Sequence, residues 1–408
     1  MLRQPDDKYK QPKMDELQAM IEEYGIQWHT LHCELITPMY GGGVESTKVD
    51  EKMPIRVSSI RGQLRFWWRL LAKYQWKIED IAKAETNLWG GMNQGDDDGK
   101  ASKVLLKVTN FPTAQKVKSN LVSYETFNNL KYVLFPASNA EEKKINPHKL
   151  LKADGIEWDL QFAFTPTITD KQKQQVIDTL QWWANFSGLG FRSRKGLGAF
   201  YVSECRDFPK ICESLSSDDI AKANCQLVQR PVTASPLIAL ETAIRKLANF
   251  RQSPNVGRNP GQQANRPGRS RFPEPDALRR IQRNLGYDRN HEPVHPAGNI
   301  FPRAVFGLPI NYQSRSERAI NVMLQPTEGE RLASPLILRP VYAGEQNGQK
   351  QWKPSALVLP YEHILDMTVR IGRDNYPIWQ KDKTQDIRPI AENGGGDPLQ
   401  AFLTYFAR

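Results

Sequence analysis

Arg61, Arg65, Arg69 and Lys73 recur at four-residue intervals, a spacing that puts four cations on one face of a helix. Arg56 lies just upstream, and no Asp or Glu occurs between Glu51 and Glu79. A counter-charge must therefore come from distant sequence or from another molecule. Helix faces that only meet solvent usually carry interspersed acids, so an unbroken cationic stripe favours a surface for phosphate groups over a solvated face. Trp67 and Trp68 share this helix. Trp67 is expected in the core, whereas Trp68, near the edge of the apolar face, is a candidate to stack on a base, with burial as the other reading.

The run GLGFRSRKGLG sets Gly188, Gly190, Gly196 and Gly198 around Arg192, Ser193, Arg194 and Lys195. Glycine permits positive φ and close approach of a backbone, and three cations supply charge at the same point, so the run reads as a cradle for a phosphodiester. It is neither a dinucleotide fingerprint, since it follows a helix rather than a strand, nor a P-loop, since no Lys-Ser/Thr pair follows.

Catalytic constellations are weaker. His291-Glu-Pro-Val-His295 spells a zinc-peptidase pattern, but that pattern needs a helix, and Pro293 and Pro296 interrupt one. His29 and His32, the candidates for a general base in metal-independent RNA cleavage, fall on opposite faces of a strand. Asp96-Asp-Asp-Gly99 lacks the spaced ligands and distal glutamate of a calcium loop and reads as a solvated turn. Cys33, Cys205, Cys212 and Cys225 are spaced by 172, 7 and 13 residues, which fits neither paired-cysteine zinc nor a disulfide framework. The expectation is reduced thiols, no metal, no cofactor and no catalytic residue.

The chain of 408 residues suits two or three domains, and 39% hydrophobic residues exclude a disordered chain. No apolar run is long enough to span a membrane and none reads as a signal peptide, so a cytoplasmic protein with no membrane partner is expected. Lys and Arg number 56 against 45 Asp and Glu, a net charge of +11. The excess is uneven. Nine Arg, no Lys and three acids lie between Arg251 and Asn290, with five Pro and four Gly. That composition predicts a mobile basic arm over 251–275 and a short helix over Ala277 to Leu285; nucleic-acid contact and a plain solvated linker are the two readings of the arm.

These residues need elements to hold them. After a polar leader, 1–25, alternation predicts a strand over Trp28 to Thr37, then a helix capped by Ser58 or Ser59 with Ile60, Leu64, Trp67, Trp68 and Leu71 inward. Strands over Lys103 to Val108 and Trp158 to Thr165, a helix over Asp170 to Phe186 and a strand over Ala199 to Ser203 complete a ferredoxin-like or RRM-like sandwich over 26–210. A second sandwich over 223–408 is read from a helix over Pro236 to Phe250, a buried segment over Ile300 to Ile310 and a hairpin of Ser334 to Val341 with Ser355 to Leu359. The expected fold is α+β, two tandem ferredoxin-like domains with long insertions.

The segments ITPMYGGG at 36–43, PIRVSSIRGQLRFWWRLL at 54–71, ETNLWGG at 85–91 and GLGFRSRKGLGAF at 188–200 resemble the signature blocks of the RAMP superfamily of CRISPR-associated proteins. PRAVFGLP at 302–309 and RLASPLILRP at 331–340 resemble the second half of one member family, the first subunits of the type III-B Cmr module, and bring in Arg303 and Arg331 as candidate RNA contacts. The resemblance implies a non-catalytic RNA-binding subunit of an RNA-guided antiviral complex, with guide CRISPR RNA, target RNA and other Cmr-module subunits as partners. A RAMP-family endoribonuclease that processes guide RNA is the alternative.

Overall fold

The computed structural model describes residues 25–91, 99–142, 148–261, 268–282, 291–313 and 320–408. The polar leader up to residue 24, the Asp96 to Asp98 turn and the centre of the basic arm, 262–267, lie outside the described residues.

Strands β1 (Trp28–Leu35), β2 (Val104–Thr109), β3 (Glu157–Phe164) and β4 (Phe200–Glu204) form one antiparallel sheet in the order β2-β3-β1-β4. Strand β1 alternates as expected, with Leu31, Cys33 and Leu35 buried. Helices α1 (Val57–Tyr74) and α2 (Ile81–Trp89) lie between β1 and β2 in the chain. A third long helix, Asp170–Phe186, joins β3 to β4 and opens on a capping box in which Thr169 and Gln172 exchange hydrogen bonds. This order of strands and crossover helices is that of a split βαβ sheet. Helix α1 begins at Val57 after Arg56, earlier than the Ser58 or Ser59 cap expected, and buries Ile60, Leu64, Trp67, Trp68 and Leu71. Trp67 stacks beside Trp182, with centroids 5.5 Å apart, and its indole N–H donates to Ser187 Oγ at 2.6 Å.

The second half departs from the expected repeat. Strands β5 (Gln226–Gln229), β6 (Leu336–Gln346) and β7 (Gln349–Val358) make an antiparallel sheet in the order β6-β7-β5. The 236–252 helix, Pro236–Gln252, packs on it together with the C-terminal helix Pro398–Ala407. Among the described residues no fourth strand joins this sheet. The chain after β7 instead pairs Thr368–Ile371 with Val322–Pro326 in a separate four-stranded sheet. The molecule is thus a mixed helix-and-strand fold built on several antiparallel sheets.

The two cores interleave. Ile337, Val341, Leu357 and Leu359 of the second half sit in the first core, while Tyr40, Leu130, Leu150 and Leu197 of the first half sit in the second. Residues 210–225 are no loose linker, since Ile211, Ile220, Ala223 and Cys225 are buried against the first sheet. Arg339, 3% exposed, reaches from β6 to donate to the carbonyls of Ser187 and Phe200, the latter at 2.7 Å, and to that of Pro340. Burial alone pushes its guanidinium down to about 9, and three carbonyls rather than a carboxylate hold it. Replacing Arg339 by Met should strand these acceptors and lower stability by about 3 kcal/mol, read from urea unfolding. An unchanged midpoint would show that the halves are held otherwise.

Candidate nucleic-acid interface

Helix α1 does not present a free cationic stripe. Glu85 of α2, buried, accepts from Arg65 Nε at 2.6 Å and from Arg69 Nη1 at 2.7 Å with one oxygen. Arg61 turns inward to Ser102 Oγ at 3.0 Å and to the carbonyls of Trp89 and Val104. Arg56 pairs with Asp50 at 2.6 Å, which holds that carboxyl below its usual range. Lys73 is exposed over the Tyr74 ring. Of the two sources expected for the counter-charge, it is distant sequence that supplies it, from the next helix at a separation of 20 residues from Arg65, so the reading of the stripe as a free phosphate surface is corrected. Trp68 is corrected too. It is 1% exposed and packed beside Trp76, with no face open to a base.

The glycine run also differs from a cradle. A Cβ on Gly190, at φ +77, would meet the Tyr40 carbonyl at 2.6 Å. One on Gly196, at φ +79, would strike Leu240 and meet the Leu338 carbonyl at 2.6 Å. Gly198 and Gly188 are closed by the backbone of residues 189 and 197 in the same way. The small residues admit protein backbone, not a ligand, and so lock the loop between the first sheet, the 236–252 helix and β6.

The cations of that loop are left at its rim, half-buried. Arg192, itself at φ +63, lies 4.4 Å over the ring of Phe135, which is 49% exposed. Arg194 lies 5.2 Å from the Phe66 ring and donates to the Ser334 carbonyl, while Lys195 Nζ is 3.3 Å from Ser334 Oγ. Ser193 opens the single 3₁₀ turn that carries them, and Gly196 N–H closes it on the Ser193 carbonyl at 2.9 Å. No ion pair involves these three cations among the described residues. Desolvation pushes Arg192 down to about 10 and Lys195 to about 7, the latter also through neighbouring cations. Beside them opens a cavity of about 250 Å³ lined by Gln63, Phe66, Gly188, Ser193 and Arg194, joining α1 to the loop.

Residues 32–201, which hold both the helix and the loop, match the RAMP superfamily model. This segment belongs to the RAMP superfamily. No curated protein matches the chain. Among solved structures it is similar to Cmr1 from Pyrococcus furiosus in its apo form, at 13% identity and TM-score 0.46, over 93% of this chain and 96% of that one. It is also similar to a chain of type III-B Cmr-beta bound to cognate target RNA, at 10% identity and TM-score 0.42, over 82% and 94% respectively.

Outside the RAMP segment two further expectations need correction. Arg303 is 7% exposed, and its guanidinium pairs with the fully buried Glu274 at 3.0 Å, so it is a core ion pair rather than an RNA contact. The described parts of the basic arm are hydrogen-bonded into the fold instead of forming a mobile tail. Arg271 reaches Glu392 and the carbonyls of Asn255 and Val256, Arg280 reaches those of His295 and Gly298, and Phe272 is buried. The helix expected from Ala277 spans Glu274–Ile281, with Arg279 paired to Asp276. Arg331 is exposed.

The His291 to His295 string is not an α-helix, and His295 is engaged by the Arg271 carbonyl and the Ala297 N–H. His29 pairs with Asp207 and His32 with Asp159, on opposite faces of β1. Sequence reasoning missed Glu85, Phe135 and Ser334. Glu85 heads the ETNLWGG block, but its pairing with α1 depends on how two helices cross, and nothing in the local pattern marks Phe135 as exposed on its helix, Lys131–Glu142.

If the RAMP-segment glycines serve packing, Gly196→Ala should cost about 3 kcal/mol of stability through forced strain and displacement of Leu240. Urea unfolding checks this; a Gly196→Ala protein as stable as wild type would contradict it.

Proposed function

We propose that this chain is a non-catalytic RNA-binding subunit of a type III-B CRISPR effector, contacting guide or target RNA alongside other Cmr-module subunits in antiviral defence. The ordered signature blocks and the RAMP match over 32–201 support the family part of this reading. The observation that carries the RNA part is the loop rim. Arg192, Arg194 and Lys195 stand together without a carboxylate partner among the described residues, beside the rings of Phe135 and Phe66. Cations at a backbone-contacting edge with an exposed ring alongside are what a single strand needs: charge for phosphates and a face for a base. Lys73 and Arg331 are exposed, whereas the α1 arginines, tied to Glu85 and to carbonyls, orient the helix. The two-half architecture, one split βαβ sheet and one three-stranded relative, is read as a pair of tandem ferredoxin-like domains, the second reduced.

One observation favours the endoribonuclease alternative. Tyr40 Oη and His148 Nδ1 are 2.8 Å apart, and His148 Nε2 is 3.5 Å from Thr47 Oγ1, next to the loop where Arg192 acts on Tyr40. Burial and then Lys48 lower the pKa of His148, which keeps a neutral imidazole, the form a general base requires. Incubating repeat RNA with the protein in chelator decides between the readings. Binding without cleavage is expected; discrete cleavage lost in His148→Ala would overturn the non-catalytic role.

Arg192→Ala should lower the salt slope of single-stranded RNA binding by about 0.7, one phosphate contact. Phe135→Ala should weaken binding by about 1–3 kcal/mol with little change in the slope, the signature of lost stacking. Fluorescence anisotropy across a salt series measures both. Unchanged affinity in both folded variants would remove the loop rim from the RNA surface.

A further inference from the structure

A cavity of about 520 Å³ opens where the two halves of the chain meet, apart from the smaller one beside the glycine loop. Its floor is apolar, formed by Leu35 and Ile36 at the end of β1, Phe127 of the 3₁₀ segment Tyr124–Leu130 and Trp352 of β7. Pro236 and Leu237, the start of the 236–252 helix, close one side. Contacts from both halves fix the walls. Thr233 and Trp352 exchange backbone hydrogen bonds at 2.8 Å each way, Lys350 pairs with Glu34 at 2.7 Å, and Asn129 donates to Glu241 at 3.0 Å. The space is therefore pre-formed, and its volume lies in the range of roughly 300–1,000 Å³ usual for binding pockets.

Two exposed apolar side chains adjoin it. Ile238, 53% exposed, follows Leu237 on the helix, and Val232, 45% exposed, precedes Thr233. Apolar surface that a fold leaves open around a cavity marks a site of interaction. The charges at the mouth decide the kind of partner. Glu34, Asp154 and Glu241 bring three carboxylates against the two ammonium groups of Lys152 and Lys350, in a chain whose overall charge is +11. Lys350 is spent on Glu34, which leaves two carboxylates against Lys152 alone. A helix N-terminus would ordinarily favour an anion here. This one is blunted, because Pro236 has no N–H and the Ile238 N–H is capped by Ser235 Oγ at 3.4 Å. The mouth thus disfavours phosphates and suits a cation carried on an apolar body.

We propose that this cavity is a docking site for a protein partner, and that it takes a segment in which an apolar side chain stands beside an arginine or lysine. The apolar side chain fills the floor over Phe127 and Trp352. The stem of the basic residue lies along Leu237 and carries its charged head to Asp154 and Glu241. Such a pairing of apolar anchor and cation is typical of the buried centre of protein interfaces. The inference goes beyond the RNA-binding reading and does not rest on it.

Saturation-transfer NMR on the full chain tests this with two blocked peptides, acetyl-Leu-Arg-Leu-amide and acetyl-Leu-Glu-Leu-amide. The arginine peptide should receive saturation at its leucine methyls and bind with a Kd of about 1 mM, and the glutamate peptide about fivefold more weakly. Asp154 and Thr126 line the cavity and are exposed, so substitutions there spare the core. Asp154→Lys should weaken the arginine peptide about fivefold. Thr126→Trp, which fills the mouth without altering a charge, should abolish its binding. If Thr126→Trp does not fold, judged by its urea midpoint, Asp154→Lys carries the test. No saturation of the arginine peptide, equal binding of the two peptides, or binding unchanged in either folded variant would overturn the inference. Displacement of the arginine peptide by a single-stranded RNA oligonucleotide would overturn it as well, by assigning the cavity to nucleic acid.

Discussion

A guanidinium without a counter-ion holds the two halves of this chain in register. Arg339 of β6, the long strand of the second half, donates one hydrogen bond to Pro340 of its own strand and the others to the carbonyls that end the Asp170–Phe186 helix and begin β4. An ion pair at this point would tolerate a swing of either partner. The Ser187 and Phe200 carbonyls, fixed by helix and strand, do not, because each hydrogen bond has its own direction and a lost one strands a buried group. Gly196 and Gly198 then close the remaining space, backbone against backbone.

The position of the loop cations follows from that closure. With the glycines consumed by packing, Arg192, Arg194 and Lys195 stay half-buried beside Phe135, Phe66 and Ser334, with no acid paired to them among the described residues. The arginines of α1 show the opposite solution. Glu85 gathers two of them on one oxygen, and the helix is oriented by the charges that a reading of its stripe alone assigns to a ligand. Function on this account lies in the cations the fold leaves uncompensated.

The elements of the first half were legible because their burial is periodic. The alternation of β1 and the i, i+4, i+7 pattern of α1 report a sheet face and a helix face directly, and the Asp170 to Phe186 helix carries its own capping signal at Thr169. What was not legible depends on long-range packing. Trp68 reads as an edge residue until Trp76 covers it, and Arg303 reads as an RNA contact until Glu274, 29 residues earlier, is brought beside it. The basic arm misleads for the same reason: arginine, proline and glycine describe a mobile chain locally, while acceptors that fix its described parts lie at Glu292 and Glu392. Among the described residues the second sheet has no fourth strand, and the chain after β7 pairs with Val322–Pro326 instead, a choice that short strands of similar composition do not encode.

The central claim is that the surface for RNA is the loop rim and its flanking rings rather than the stripe on α1 or the arm. Ultraviolet crosslinking of single-stranded RNA to the full chain, followed by mass spectrometry, tests it most directly. The account predicts crosslinks at Phe135 and Phe66 and on the 191–195 loop. Crosslinks confined to the arm around Arg258 and Arg269, with none at the loop or its rings, would contradict it.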